Sequence, residues 1–130
     1  MSWFVQFLLV GLGGAIGAML RFAVQSLALF PDSRHLLTAV VNITGCLLIG
    51  VAYAVIHQIN PGRSLYLFAV AGILGGYTTY STFTFDAFNL IRGGHVVQAV
   101  TYLTVTIVGG FLACAAGYLA TEKIIKISAS

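Results

Sequence analysis

The chain has 130 residues, of which 59% are hydrophobic and 7% charged, with a formal net charge of +3 and a mean hydropathy of +1.00. A soluble domain carries about 25% charged residues, so this composition excludes a water-facing surface and indicates a membrane protein. The six Lys and Arg are scattered along the whole chain, which gives no basic patch and excludes nucleic acid as a partner.

Four uncharged or nearly uncharged runs follow in order: Met1–Leu20, which resumes past Arg21 toward Phe30, then Leu36–Ile56, Ser64–Phe85 and Val96–Thr121. Each is long enough to cross a hydrocarbon core of about 30 Å as a helix, and none alternates as a barrel strand would. The first run lacks a basic leader and a small-residue cleavage site, so a retained helix is expected rather than a signal peptide. Turn residues separate the runs: Phe30-Pro31-Asp32-Ser33-Arg34, Asn60-Pro61-Gly62-Arg63 and Arg92-Gly93-Gly94-His95. The expectation is one all-α transmembrane domain, residues 1–130, with four spans.

Cytoplasmic loops normally carry the excess of Lys and Arg. Four spans place Arg63, Lys123 and Lys126 on one side and Arg34, Arg92 and Arg21 on the other. This balance is compatible with insertion in both orientations and pairing of opposed copies. A single charge near a membrane end could also decide one orientation.

In the first run, Gly13-x-x-x-Gly17 and Gly14-x-x-x-Ala18 present small faces for close helix packing. Arg21 follows, an expensive residue at membrane depth; it either snorkels at a helix end or serves as a structural or vestibule charge that attracts anions. Asp86 is the only acid of the third run and lies near its end, placed to cap or pair. In the second run Thr38, Asn42 and Gly45 share a face. The Asn42 amide either bonds another helix or lines a polar track.

The densest signal is Gly72-Ile-Leu-Gly75-Gly76-Tyr77-Thr78-Thr79-Tyr80-Ser81-Thr82-Phe83-Thr84. Glycines and β-branched hydroxyl residues make a poor unbroken helix, and a break within a membrane needs its freed backbone groups satisfied. Carbonyls around Gly75 and Thr78 would suit a hard cation such as sodium, while Ser81 and Thr82 offer hydroxyls beside Tyr80 and Phe83. Alternatively the hydroxyls bond back to the preceding turn of a continuous helix. In the fourth run Tyr102 and Thr106 share a face, as a hydroxyl ladder or a packing seam. Cys46 and Cys114 sit in apolar runs, where buried thiols are expected ahead of a disulfide or metal site, and His35, His57 and His95 sit at loop edges without metal-ligand spacing, as interface histidines would. No nucleophile elbow, P-loop or HExxH is present, so no enzyme is expected.

Three sets of residues, Gly17-Ala-Met-Leu-Arg21-Phe22, Thr38-x-x-x-Asn42 and Gly75-Gly76-Tyr-Thr78-Thr79-Tyr80-Ser81-Thr82-Phe83, resemble the Fluc fluoride channels. The likeness spans essentially the whole chain and includes Tyr102-x-x-x-Thr106. It implies a dual-topology antiparallel homodimer in the cell (inner or plasma) membrane, with the third helix broken mid-membrane. Such a dimer holds two pores lined by both copies and exports toxic fluoride down its gradient. By that resemblance Asn42 is the pore amide, Tyr80 and Phe83 form the aromatic pair flanking the anion, and Ser81, Thr82, Tyr102 and Thr106 supply a hydroxyl track beside Thr38. Gly75 and Thr78 give backbone carbonyls to a structural, untransported sodium ion, and Arg21 matches the arginine after the small-residue face. Two positions depart from the family pattern: Tyr80 stands where Phe is usual, and Gly110 where Ser usually ends the ladder. The physics agrees, because a pore for small, strongly hydrated fluoride must replace water with fixed donors and positive ring edges.

The competing reading is a small dual-topology multidrug or cation exporter. It requires a titratable group at membrane depth, for which only Asp86 is available. A non-transporting assembly subunit would explain the packing glycines but not the clustered hydroxyls.

Overall fold

The computed structural model describes residues 1–27 and 29–130. The described residues are helical apart from short connections. Helix α1 spans Trp3–Gln25 and α2 spans Arg34–Ile59. Three abutting segments, Arg63–Leu65, Tyr66–Leu74 and Gly75–Tyr77, form α3 (63–77); α4 is Tyr80–Arg92 and α5 is Val96–Ser128. Helices α1, α2 and α5, with 23, 26 and 33 residues, are long and apolar enough to cross a membrane.

Local chemistry sets the ends. Ser2 caps α1 by accepting the Val5 N–H at 3.4 Å. Helix α1 continues through Arg21 to Gln25, so the charge does not interrupt it, but it stops at the Ser26 cap: of the run expected to resume toward Phe30, Leu27, Leu29 and Phe30 are not helical, and Ala28 lies outside the described residues. Asn60 closes α2 in the left-handed conformation (φ 49°), and Gly62 (φ 100°) reverses the chain into α3. The Tyr66–Leu74 segment of α3 has wide, π-type turns. At its end the Gly75 N–H reaches back to Val70 as well as Gly72.

Thr78 (φ −79°, ψ 154°) and Thr79 (φ −146°, ψ 114°) are extended between α3 and α4. The pass from residue 63 to residue 92 nevertheless travels from one end of the molecule to the other. At the first end Arg63 donates to Gln6 Oε1 at 3.0 Å and the Ser64 hydroxyl lies 3.7 Å from Met1 Sδ. At the second end Asp86, Asn89 and Leu90 share a cavity with Asp32, Arg34 and His95. The chain therefore passes four times between two ends, as the four apolar runs require.

Two pairings dominate. Helix α1 lies along α3 with the backbones nearly touching: a Cβ at Gly13 would strike the Phe68 carbonyl, one at Gly17 the Ile73 carbonyl, and one at Gly76 the Gly14 carbonyl. The small faces read from the sequence are thus a backbone-to-backbone seam. Helix α2 packs on α5 in the same manner, with Gly50 against the Cys114 carbonyl and Gly117 against that of Leu47. Large apolar side chains such as Trp3, Phe4, Phe7, Met19 and Val97 are exposed on the outside, as lipid or a protein partner demands.

Candidate functional site

The extended pair Thr78–Thr79 is held by α2. Asn42 Nδ2 donates to the Thr79 carbonyl at 2.9 Å, and the Thr79 N–H donates to Asn42 Oδ1 at 2.8 Å. One amide side chain therefore satisfies both polar groups of a backbone unit that has left the helix. Gly45, one turn on, leaves room for the Thr78 methyl group, and Thr44 meets the Tyr77 hydroxyl at 2.9 Å.

Each side of the interruption is capped. The Thr78 N–H and hydroxyl both donate to the Leu74 carbonyl, at 3.1 and 3.0 Å. Thr79 Oγ1 accepts the Thr82 N–H at 3.2 Å as the cap of α4, donates to the Thr82 hydroxyl at 3.1 Å, and lies 3.4 Å from Ser81 Oγ. In an unbroken helix the Thr79 N–H would bond the Gly75 carbonyl and the Thr82 N–H that of Thr78. Both donors are engaged elsewhere, and the N–H groups of Tyr80 and Ser81 open a new helix, so the carbonyls from Gly75 through Thr78 all lose their regular helical partners. Among the described residues no three His, Cys, Asp or Glu gather to bind a metal. A hard cation at this point would depend on backbone oxygens such as these.

A groove of about 670 Å³ runs along the interruption, lined by Asn42, Cys46, Thr79, Tyr80, Phe83 and Thr106 among others. It opens at Tyr80, which is 80% exposed. Phe83 is buried, with its ring centroid 6.1 Å from Tyr80 and 5.3 Å from Tyr102. His35 meets the Tyr102 ring edge-on at 5.2 Å, completing a column of four rings. Thr106, 7% exposed, buries its Oγ1 without a hydrogen-bond partner.

A second cavity of about 300 Å³ lies toward the Arg34 end, lined by Phe22, Gln25, Arg34, Thr38, Thr82 and Asp86. Within it Gln25 Nε2 donates to Thr38 Oγ1 at 3.4 Å, and its Asp86 Oδ2 accepts from the Tyr102 hydroxyl at 3.3 Å from behind the lining. The hydroxyls expected to form one track are thus distributed. Thr106 faces the groove, Thr38 and Thr82 face the second cavity, and Tyr102 bridges between Phe83 and Asp86. Ser81 is exposed beside Thr79. Arg21 is half-buried on α1 and lines neither cavity.

Sequence reasoning gave no individual role to Thr79, the residue most completely engaged here. Its signal was present: a Thr three residues before Thr82, following two glycines, is a helix-cap pattern. Gln25 and His35 had no comparable signal, because their partners are distant in the chain.

Residues 8–118 match the family model described as CrcB-like protein, Camphor Resistance (CrcB). The chain is 41% identical over 119 residues to a protein of Azotobacter vinelandii named Fluoride-specific ion channel FluC, covering 88% of this chain and 95% of that one. Proteins of the same name from Pseudomonas fluorescens (40% over 117 residues, 87% and 94% covered) and Rhizobium meliloti (37% over 117 residues, 85% and 90% covered) are also similar. With the family model spanning most of the four-pass bundle, the chain belongs to the CrcB-like family.

Proposed function

We propose that this chain is a fluoride-specific channel of the cell membrane, working as an antiparallel homodimer that exports fluoride down its electrochemical gradient and limits its toxicity. The observation that carries the reading is Thr106 Oγ1, a hydroxyl with no partner among the described residues, buried in the wall of a groove that Phe83 also lines. An unsatisfied buried polar atom costs about 1–3 kcal/mol, a cost that a passing small ion or water can relieve. A hydroxyl donor beside a ring edge suits an anion, and the names of the relatives point to fluoride.

The openness of the groove at Tyr80 supports a second copy as its missing wall, and the even division of Lys and Arg supports an opposed orientation for that copy. The interruption at Thr78–Thr79 contacts Asn42 and Gly45, well inside α2, which supports a break near mid-membrane. Asn42, Tyr80, Phe83 and Thr106 line the pore in this reading, with Thr38, Ser81, Thr82 and Tyr102 along its continuation and Arg21 as a charge near its mouth. The Gly75 and Thr78 carbonyls, doubled by the second copy, hold a structural sodium ion whose fixed positive charge favours anions. The exporter reading loses support from Asp86, which lies at the Arg34 end and accepts a bond from Tyr102.

The test is efflux from proteoliposomes containing the purified chain. Fluoride should leave, while chloride and a cationic dye are retained. Dye transport or retention of fluoride would overturn the proposal. Tags on both termini should each be reached from both membrane faces, and replacing sodium with a larger cation should weaken the dimer or its conduction.

A further inference from the structure

The wall of the groove continues past Thr106 in a way the hydroxyl pattern does not disclose. Thr106 and Gly110 are one helical turn apart on α5, both buried and both lining the groove. A Cβ built on Gly110 would stand 3.1 Å from Cys46 Sγ and 3.8 Å from Cys46 Cβ. The sulfur from α2 therefore occupies the space that a side chain at position 110 would fill. Cys46 also lies one turn beyond Asn42 on α2, so the clamp amide and the thiol share one wall while Thr106 and Gly110 form the other.

We propose that the Cys46 thiol is the groove's next polar group after Thr106, a weak S–H donor that faces the permeating anion and helps set how tightly the anion is held. This rests on reading the groove as the anion path. Two observations from different helices carry it: the sulfur seated over Gly110, and the buried, unpartnered Thr106 hydroxyl one turn, about 6 Å, away along α5. A neutral thiol donates more weakly than a hydroxyl. An ion moving along the groove from Thr106 thus meets a softer donor, which favours release over retention.

Covalent labelling of the reconstituted protein provides the test. Cys114 is outside the groove lining, so a Cys114→Ala background leaves Cys46 as the only thiol. Methyl methanethiosulfonate transfers its S-methyl group to that thiol, giving a mixed disulfide and releasing methanesulfinate. Labelling should slow fluoride efflux at least tenfold, and dithiothreitol should restore it. Saturating fluoride should slow the labelling at least threefold, whereas gluconate should not. The Cys46→Ala/Cys114→Ala chain should be insensitive to the reagent and conduct more slowly, and Cys46→Ser, which puts a stronger donor at the same place, should conduct but release fluoride more slowly than the parent. Cys46 that mass spectrometry finds unlabelled, labelling without effect on efflux, or equal labelling in fluoride and gluconate would each overturn the assignment. Thr106→Val separates the two readings. If it leaves efflux intact, the groove is not the path; if it lowers efflux while Cys46 labelling does nothing, only the thiol assignment fails.

Discussion

The α1–α3 seam and the groove between α2, α4 and α5 use small and polar residues for opposite ends. Along the seam, Gly13, Gly17 and Gly76 bring backbone against backbone with no space left over. In the groove, Gly45 and Gly110 make room for side chains from a neighbouring element, Thr78 and Cys46, and the hydroxyl of Thr106 has no partner. One region is closed by packing and the other is left unsatisfied. The contrast shows that glycine content alone does not distinguish a backbone seam from a groove wall; whether a Cβ would meet backbone or a neighbouring side chain does.

The largest effect that could break this contrast lies in the seam. Gly17→Val would drive a branched side chain into the Ile73 carbonyl, and overpacking of this kind costs about 1–3 kcal/mol or more. Thermal melting followed by size exclusion should show lost folded protein whichever ions are present. A chain with unchanged melting would mean that the seam yields easily.

Asn42→Leu comes next, because it strands both the N–H and the carbonyl of Thr79. Each orphaned group costs about 1–3 kcal/mol, so stability and efflux should fall together. Asn42→Asp, which keeps the acceptor, should be milder in stability.

Thr106→Val sharpens the difference between regions. It removes a hydroxyl that makes no hydrogen bond among the described residues, so melting should be unchanged or slightly raised. Fluoride efflux should nevertheless fall about five- to tenfold, the worth of about one hydrogen bond. Equal losses of stability and efflux would make Thr106 a packing residue like those of the seam.

The smallest expected effect is at Tyr80. Its hydroxyl is at the exposed mouth of the groove and the ring is what approaches Phe83, so Tyr80→Phe should leave efflux within about tenfold, near 1.4 kcal/mol of barrier. Phe83→Ile, measured beside it, should cost clearly more because it removes the ring's charge distribution and keeps only bulk. The reverse order would make the Tyr80 hydroxyl the operative donor.

The four passes were legible because membrane depth tolerates few charges, and the runs between Arg34, Arg63 and Arg92 had to be helices. The string from Gly72 to Thr84 marked where regular helix would be hardest to keep, and Thr78 and Thr79 fall within it. Which residues would be extended there was not legible, since that depends on Asn42, 37 positions earlier. The wide turns of Tyr66–Leu74 carried no sequence signal either; the residues are ordinary apolar ones, and their path follows the close approach of α1 at Gly13 and Gly17. The sequence grouped the hydroxyl residues together, whereas their division between two cavities accompanies the tilted ring contact of Phe83 with Tyr102. Ring contacts between separate helices leave no periodicity to read.

The Asn42 clamp imitates a rung of β-sheet inside a helical protein, exchanging one donor and one acceptor with a single backbone unit. A rung made by a side chain can be undone by a rotation about two bonds, without moving any helix. The Thr79 amide proton is therefore a built-in reporter. Its exchange with deuterium should track the opening of that one contact, while neighbouring helical amides continue to report the slower opening of the bundle.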